Sequence, residues 1–396
     1  MLSLSRYQEG SGPASLLAQN LRSTMARETT LFDGDSSSML LLLDRREDPV
    51  TPLLTQWTYQ VGEDFWTKSR MFIFQAMVHE LLGITNNRVS LAGAPGVGKE
   101  LQEVVLSSSQ DEFYAANIYS NFGEIGQTIK LLMDDFQAKA KSHQKIDSIA
   151  DMKNFVENYP QFKKMSGTVS KHVTLVSELS RLVAKRNLLE ISELEQDLVS
   201  GGDLKDMVKE VSDVIQSEKT SLEDAMRLCM LFALRFEASS SSSVRSMVAL
   251  LRRRGGEREA RLVQSLQRHA GTNSRKGDLF ADQNNATKNI TGKLFKGLKG
   301  VENVYTQHSP LVKQITEDCM KHKLRPAAFP ALGPVDPSRP VKSCVVFVIG
   351  GFTYQEAHAI SQLNTTLGVQ VVLGGTSVLN SSAFVEQVDA AFPPQN

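Results

Sequence analysis

Residues Met39 to Gln60 read MLLLLDRREDPVTPLLTQWTYQ and change character twice within a few positions. Leu40 to Leu43 form an unbroken apolar run that ends at Asp44, the pattern of a strand buried on both faces, as in a parallel sheet with helices above and below. Such a strand needs neighbours of its own kind. Comparable runs lie near the far end of the chain, at Cys344 to Ile349 (CVVFVI) and Val369 to Leu373 (VQVVL). The fold class that follows is α/β plus mostly α: a parallel α/β domain built from N- and C-terminal segments, with a large helical domain inserted between them.

The far end supports that reading. Cys344 to Ile349 runs into Gly350-Gly351 and then Thr353-Tyr354-Gln355-Glu356, a capping box that opens a helix through Ala357 and Ile360. Val369 to Leu373 runs into Gly374-Gly375 and a helix near Ala383 to Val388. Both are strand, Gly-Gly turn, helix, the unit from which parallel sheets are built. The proline-rich passage Arg325 to Pro340 reads as a linker into these units. On the other side of the starting stretch, residues 1–38 are rich in Ser, Gly, Arg and Glu and are expected to be a poorly ordered leader or the remnant of a domain.

Between the two ends, residues 61–75 (VGEDFWTKSRMFIFQ) mix aromatic and charged side chains without a period, and read as an atypical insertion before the helical AMVHELLGI. Ile118, Phe122, Ile125, Ile129, Leu132 and Phe136 then recur at three and four, one stripe of an amphipathic helix. A second stripe follows Ile146 and is expected to break at Tyr159-Pro160, because a proline disfavours helix at the residue before it. It resumes at Met165, Val169, Val173, Val176, Leu179 and Val183 and runs towards Leu198, closed by Gly201-Gly202. The resulting layout is a leader (1–38), the first part of the split α/β domain (39–60), the insertion (61–75), a helical domain (76–324) with a projecting hairpin over about 118–198, and a linker with the second α/β part (325–396). The Ser239 to Ser243 run reads as a flexible loop. Arg252 to Arg254 with Arg258, Arg261 and Arg268 form a basic cluster, either a solvated helix face or a patch for an anionic lipid or acidic partner.

With 396 residues, two or three domains with sizeable cores are within reach. Lys plus Arg and Asp plus Glu each number 44, and a balanced charge argues against a dedicated nucleic-acid binder. Three dispersed cysteines (Cys229, Cys319, Cys344) give neither a paired zinc spacing nor a disulfide framework, which fits a reducing, cytoplasmic setting. No run approaches the roughly 20 apolar residues a bilayer span needs, so any membrane role is expected to be peripheral.

Catalysis has few candidates. Gly93 to Lys99 (GAPGVGK) fits G-x-x-x-x-G-K after the apolar RVSLA, and a nucleotide-binding phosphate loop is the rival reading of the chain. The residue after Lys99 is Glu100, a carboxylate where such a loop has a magnesium-binding hydroxyl. The two Gly-Gly turns are either anion sites at helix N-termini or tight turns. The seven histidines show no metal spacing, and no nucleophile elbow occurs. The expectation is no enzyme, no cofactor and no metal.

Four stretches converge on one family: DRREDPVTPLLTQWTYQ (Asp44 to Gln60), ENYPQFKKMSGTVSKHV (Glu157 to Val173), KGLKGVENVYTQHSPL (Lys296 to Leu311) and the closing VIGG and VLGGTS strands. They resemble the Sec/Munc (SM) family of SNARE regulators, over nearly everything from Met39 onward. The resemblance implies an arch-shaped, non-enzymatic protein without the family's N-terminal α/β domain. It implies binding of a syntaxin-type SNARE and a vesicle SNARE, promotion of their assembly in vesicle docking and fusion, and a cytoplasmic, peripheral location on trans-Golgi network and endosomal membranes. The SNARE surface it implies is the helical hairpin, with the family's hinge proline falling on Pro160 and flanked by Tyr159, Gln161, Phe162, Lys163 and Lys164, together with Val169 and His172. An amphipathic helical face suits a partner helix, with anchors every three or four residues.

Overall fold

The computed structural model describes residues 2–28, 38–57, 73–107, 109–117, 122–144, 149–277, 279–280, 308–332 and 341–393. The chain opens with β1 (Leu2–Tyr7), α1 (Gly12–Arg27) and β2 (Ser38–Asp44). Residues Trp57 to Arg186 then form a compact unit of their own. It holds α2 (Ile73–Leu81), β3 (Arg88–Ser90), β4 (Glu103–Val105), α3 (Glu112–Asn117), α4 (Phe122–Gln144) and α5 (Ile149–Lys185). The first unit resumes at Asn187. Its helical part is α6 (Leu188–Ser200), α7 (Leu204–Gln216), α8 (Leu222–Phe236), α9 (Ser241–Arg253), α10 (Glu257–Ala270) and α11 (Leu311–Met320). It closes with β5 (Ala331–Leu332), β6 (Ser343–Ile349), β7 (Phe352–Thr353), α12 (Tyr354–Leu367), β8 (Gln370–Gly375), β9 (Val378–Leu379) and α13 (Ser381–Ala391).

The sheet of the first unit runs β5-β1-β2-β6-β8. β1, β2, β6 and β8 are mutually parallel, and the short β5 is antiparallel to β1. The four leucines therefore find their C-terminal partner in β6, with Leu41 opposite Val346, and β8 lies one strand further out. Alternate residues face opposite ways: Met39, Leu41 and Leu43 join Val346, Val348, Ile360 and Leu363, whereas Leu40 and Leu42 pack with Ala14 and Ala18 of α1. Burial of each leucine contributes about 2 kcal/mol.

The other side of β2 overturns the expected leader. Leu2–Tyr7 is a central strand and Gly12–Arg27 a helix whose N-cap Ser11 accepts from the Ala14 N–H at 3.0 Å. Polar residues concealed the strand: Ser5 and Arg6 are only 6 % exposed, and the Arg6 guanidinium donates to the Phe329 carbonyl at 2.7 Å. Part of the expected linker is likewise ordered, since Ala331–Leu332 pairs with β1. The serine run is not a loop throughout, because α9 begins at Ser241. The helices α6 to α10 group with the sheet, so the separate unit spans Trp57 to Arg186 instead of 76–324. The expected insertion, residues 61–75, falls almost wholly outside the described residues, as does most of Lys296 to Leu311.

Polar residues just past β2 hold distant segments together. Both carboxylate oxygens of Glu356 accept from Arg45 Nη2 at 2.6 Å, Arg45 Nε donates to the Gly351 carbonyl at 3.1 Å, and Arg45 Nη1 to the Asp48 carbonyl at 2.9 Å. Burial disfavours the guanidinium's charge, but Glu356 and Asp48 more than offset it and hold Arg45 above its ordinary range. The Thr353–Glu356 capping box is present as its spacing predicts. Gly350 and Gly351 adopt φ of 93° and 99°, and a Cβ on Gly350 would sit 2.7 Å from Arg45 Cβ. Gly350 lets the turn close on Arg45, and Gly351 lets it close on Ser377. Asp48 accepts from the Thr51 N–H at 3.0 Å, and Thr55 Oγ1 bonds both Glu195 and Arg227, the latter at 2.7 Å. In the basic cluster, Arg258 and Arg261 pair with Asp389, and Arg254 donates to the carbonyls of Ile215 and Thr220 at 2.7 Å. Arg252 also pairs with Glu257, and the Arg268 guanidinium lies 5.9 Å from the centre of the Phe392 ring, so five of the six arginines are committed within the fold.

Candidate functional site

The separate unit, Trp57 to Arg186, carries the residues on which a partner helix was expected to dock. Its core joins Val78 of α2, Val89 and Val104 of the β3–β4 pair, Tyr114 of α3, Ile125 and Ile129 of α4, and Leu175 and Leu179 of α5. Ile125, Ile129 and Leu179 belong to the two apolar stripes of the sequence, buried as the helical spacing predicts.

α5 is continuous through Pro160, which corrects the expected break. Proline removes one amide, the one that would have bonded the Val156 carbonyl, and Val156 is 64 % exposed, so the cost falls where solvent is available. The second stripe also stops earlier than expected. Asn187, at φ of 52°, separates α5 from α6, and α6 packs in the other unit, where Leu188, Ile191 and Leu198 are fully buried.

Around the middle of α5 lies a buried polar group. Asp111 precedes α3 and accepts from the Tyr114 N–H at 2.9 Å, from His172 Nε2 at 2.9 Å and from Lys171 Nζ. Lys171 Nζ also reaches the Val105 carbonyl at 3.3 Å, and the Phe113 ring lies 4.6 Å from that of His172. Burial disfavours the Asp111 charge, but the hydrogen bonds from His172 and Lys171 outweigh it and hold the carboxyl well below the usual range. The group fastens α3 and the end of β4 to α5. The sequence flagged His172 and missed Asp111, whose role depends on a contact 61 residues away.

The expected surface thus divides. His172 is fully buried and Val169 is 9 % exposed, so neither presents a side chain to a partner. Phe162 is half-buried and stacks on Phe136 of α4, with centroids 5.0 Å apart. Tyr159, Pro160, Gln161, Lys163 and Lys164 are exposed, and Lys164 Nζ lies 3.1 Å from Glu112. Val156, Pro160, Lys163, Gly167 and Ser170 form one outward stripe at three-and-four spacing, flanked by Tyr159 at 47 % exposure, and Leu131 of α4 is 68 % exposed.

Gly93 to Lys99 is not a phosphate loop. β3 pairs with β4 as a two-stranded antiparallel ribbon, and the residues after the loop form one short turn, Lys99–Leu101, before β4. No helix N-terminus stands behind the loop to direct amides at a phosphate. Among the described residues, no group of three or more His, Cys, Asp or Glu side chains is placed to hold a metal ion, and no helix is long and apolar enough to cross a membrane.

A family model described as the Sec1 family matches residues 3–61 and 70–387. Vacuolar protein sorting-associated protein 45 of Rattus norvegicus is 48% identical over 392 residues, covering 98% of this chain and 66% of the relative. The Homo sapiens protein of the same name gives the same identity and coverage. Among solved structures, the SM protein Vps45 in complex with the Qa SNARE Tlg2 superposes with a TM-score of 0.84 at 41% identity, over 98% of this chain and 67% of that one. The chain spans 66% of the length of these curated relatives, and the family match passes over residues 62–69.

Proposed function

Because the chain belongs to the Sec1 family, we propose that it binds a syntaxin-type SNARE and promotes SNARE complex assembly with a vesicle SNARE during vesicle docking and fusion. The observation that carries this reading is the outward stripe of α5, centred on Val156, Pro160 and Lys163, in a chain whose fold is shared with a Vps45 solved together with a Qa SNARE. The protein acts by holding helices and not by catalysis. A helix laid along the stripe buries Val156 and Tyr159 and pairs acidic residues with Lys163 and Lys164. Holding two SNARE helices side by side lowers the entropic cost of starting their bundle. Recruitment to trans-Golgi network and endosomal membranes follows through these partners, peripherally.

The test is capture of a purified Qa-SNARE cytoplasmic segment by the full chain, comparing wild type with Val156→Asp/Lys163→Glu. Both positions are exposed, so the far-UV melt of the variant stays within about 0.5 kcal/mol of wild type while affinity falls at least about tenfold. Equal capture by a folded double variant, or no capture by the folded wild type, removes this reading.

A further inference from the structure

Three sulfur atoms meet inside the core beneath the sheet of the first unit, and neither the family nor the proposed SNARE surface accounts for them. Met39 of β2 and Cys344 of β6 are direct partners across the parallel ladder. They lie on the same face, within the cluster that also holds Cys319 of α11. The Cys319 thiol is 2.8 Å from Met39 Sδ, and its proximity, together with burial, holds the Cys344 thiol above its ordinary range. All three side chains are at most 2 % exposed. The third cysteine, Cys229, is fully buried in α8 and lies outside this cluster.

We propose that Cys319 and Cys344 are an oxidisable pair, converted by a small peroxide into an intramolecular disulfide that fastens α11 to β6. The chemistry balances with hydrogen peroxide as two-electron oxidant. The sulfur of one cysteine attacks the O–O bond, becomes a sulfenic acid and releases hydroxide, which takes up the thiol proton as water. The second thiol displaces the sulfenic oxygen, forming the S–S bond, and its proton leaves with that oxygen as a second water. Two thiols and one peroxide give one disulfide and two waters. Peroxide is little larger than water, which suits a site closed to bulkier reagents. Thiolates are the reacting species, and an apolar site disfavours them, so the reaction is slow at neutral pH and accelerates as pH rises. The link joins residues 25 positions apart by number, a loop long enough for the constraint to stabilise the folded unit.

The experiment uses the full chain, purified reduced, freed of reductant and exposed to hydrogen peroxide at neutral and alkaline pH. It is then quenched, unfolded, alkylated and digested without reductant for mass spectrometry. The expected result is a peptide pair linking Cys319 to Cys344 and two hydrogens lighter than its parts, with Cys229 alone alkylated and faster conversion at the higher pH. Cys229→Ser forms the same link. Full alkylation of Cys319 and Cys344 after treatment overturns the proposal, as does oxygen accumulating on Met39 with both thiols retained, or a link through Cys229. Wild type alone decides the question, so it does not depend on a variant folding.

Discussion

Replacing Glu356 with leucine removes the partner of a guanidinium that the fold has taken out of water. The Glu356 side chain is 1% exposed, and both its oxygens lie 2.6 Å from Arg45 Nη2. Its Oε2 also accepts from the Thr353 N–H at 2.8 Å. In Glu356→Leu, Arg45 keeps the carbonyls of Gly351 and Asp48 and the Asp48 carboxylate 4.0 Å away but loses its hydrogen-bonded carboxylate, and breaking a buried pair of this kind costs about 3–5 kcal/mol. Loss of one half of the capping box adds about 1 kcal/mol. Both losses come from one side chain and are not fully additive, so the expected destabilisation is about 4 kcal/mol, a large share of the roughly 5–15 kcal/mol that holds a typical domain. Urea unfolding followed by circular dichroism measures it, with hydrogen exchange of peptides from 343–367 assigning the transition to the first unit. The double variant Arg45→Met/Glu356→Leu removes both charges and recovers at least about half of the loss. A cost below about 1 kcal/mol for Glu356→Leu, or a double variant weaker than the single, refutes the reasoning.

Two further outcomes follow from the same unit. Burial holds His269, His308 and His358 below the usual histidine range, His358 down to about 4 with Lys313 adding to the effect. At these three histidines the unfolded chain therefore binds more protons than the folded one between about pH 6.5 and 4, so the stability they contribute above that window is lost as pH falls through it. For His358, which is partly exposed, the loss is about 2 kcal/mol, and His358→Gln flattens the pH profile of the melting temperature by that amount. At the turns, Gly350→Ala places a Cβ against Arg45 at a positive φ and costs about 3 kcal/mol, whereas Gly368→Ala, at φ of 61° with nothing within 4 Å, costs about 1 kcal/mol. Equal melting-temperature losses for the two would contradict the contact.

What the sequence disclosed and what it hid divide along physical lines. Leu40 to Leu43 announce themselves because a strand buried on both faces has only apolar positions to offer, whereas Cys344 to Ile349 carries the same apolar run although its alternate residues, such as Val345, stay partly open to solvent. The same rule conceals Leu2–Tyr7: Ser5 and Arg6 are buried with their polar atoms satisfied by tertiary partners, and no local pattern records such a partner. Pro160 misleads for a related reason, since its local preference is overridden by packing along the rest of α5. On the candidate surface, periodicity identified which residues are apolar or basic but not which way each turns. His172 and Val169 face inward and Val156 outward, a matter of helix phase against a core that the sequence does not display. Asp111 lay beyond reach because its partners come from another helix.

The pairing of β2 with β6 also sets a timetable for the ribosome. Ser38 and Ser343, hydrogen-bonded at 2.7 Å, are 305 residues apart. At about 5–20 residues per second, β2 emerges roughly 15–60 seconds before β6 has been made. During that interval the unit from Trp57 to Arg186, continuous in the chain, can complete itself, while Leu40 to Leu43 wait with one ladder edge open. Four consecutive leucines on a strand with one open edge are a target for holding chaperones and a nucleus for aggregation. Termination anywhere before Ser343 leaves that strand without β6, and such truncated chains are expected to partition to the insoluble fraction on expression.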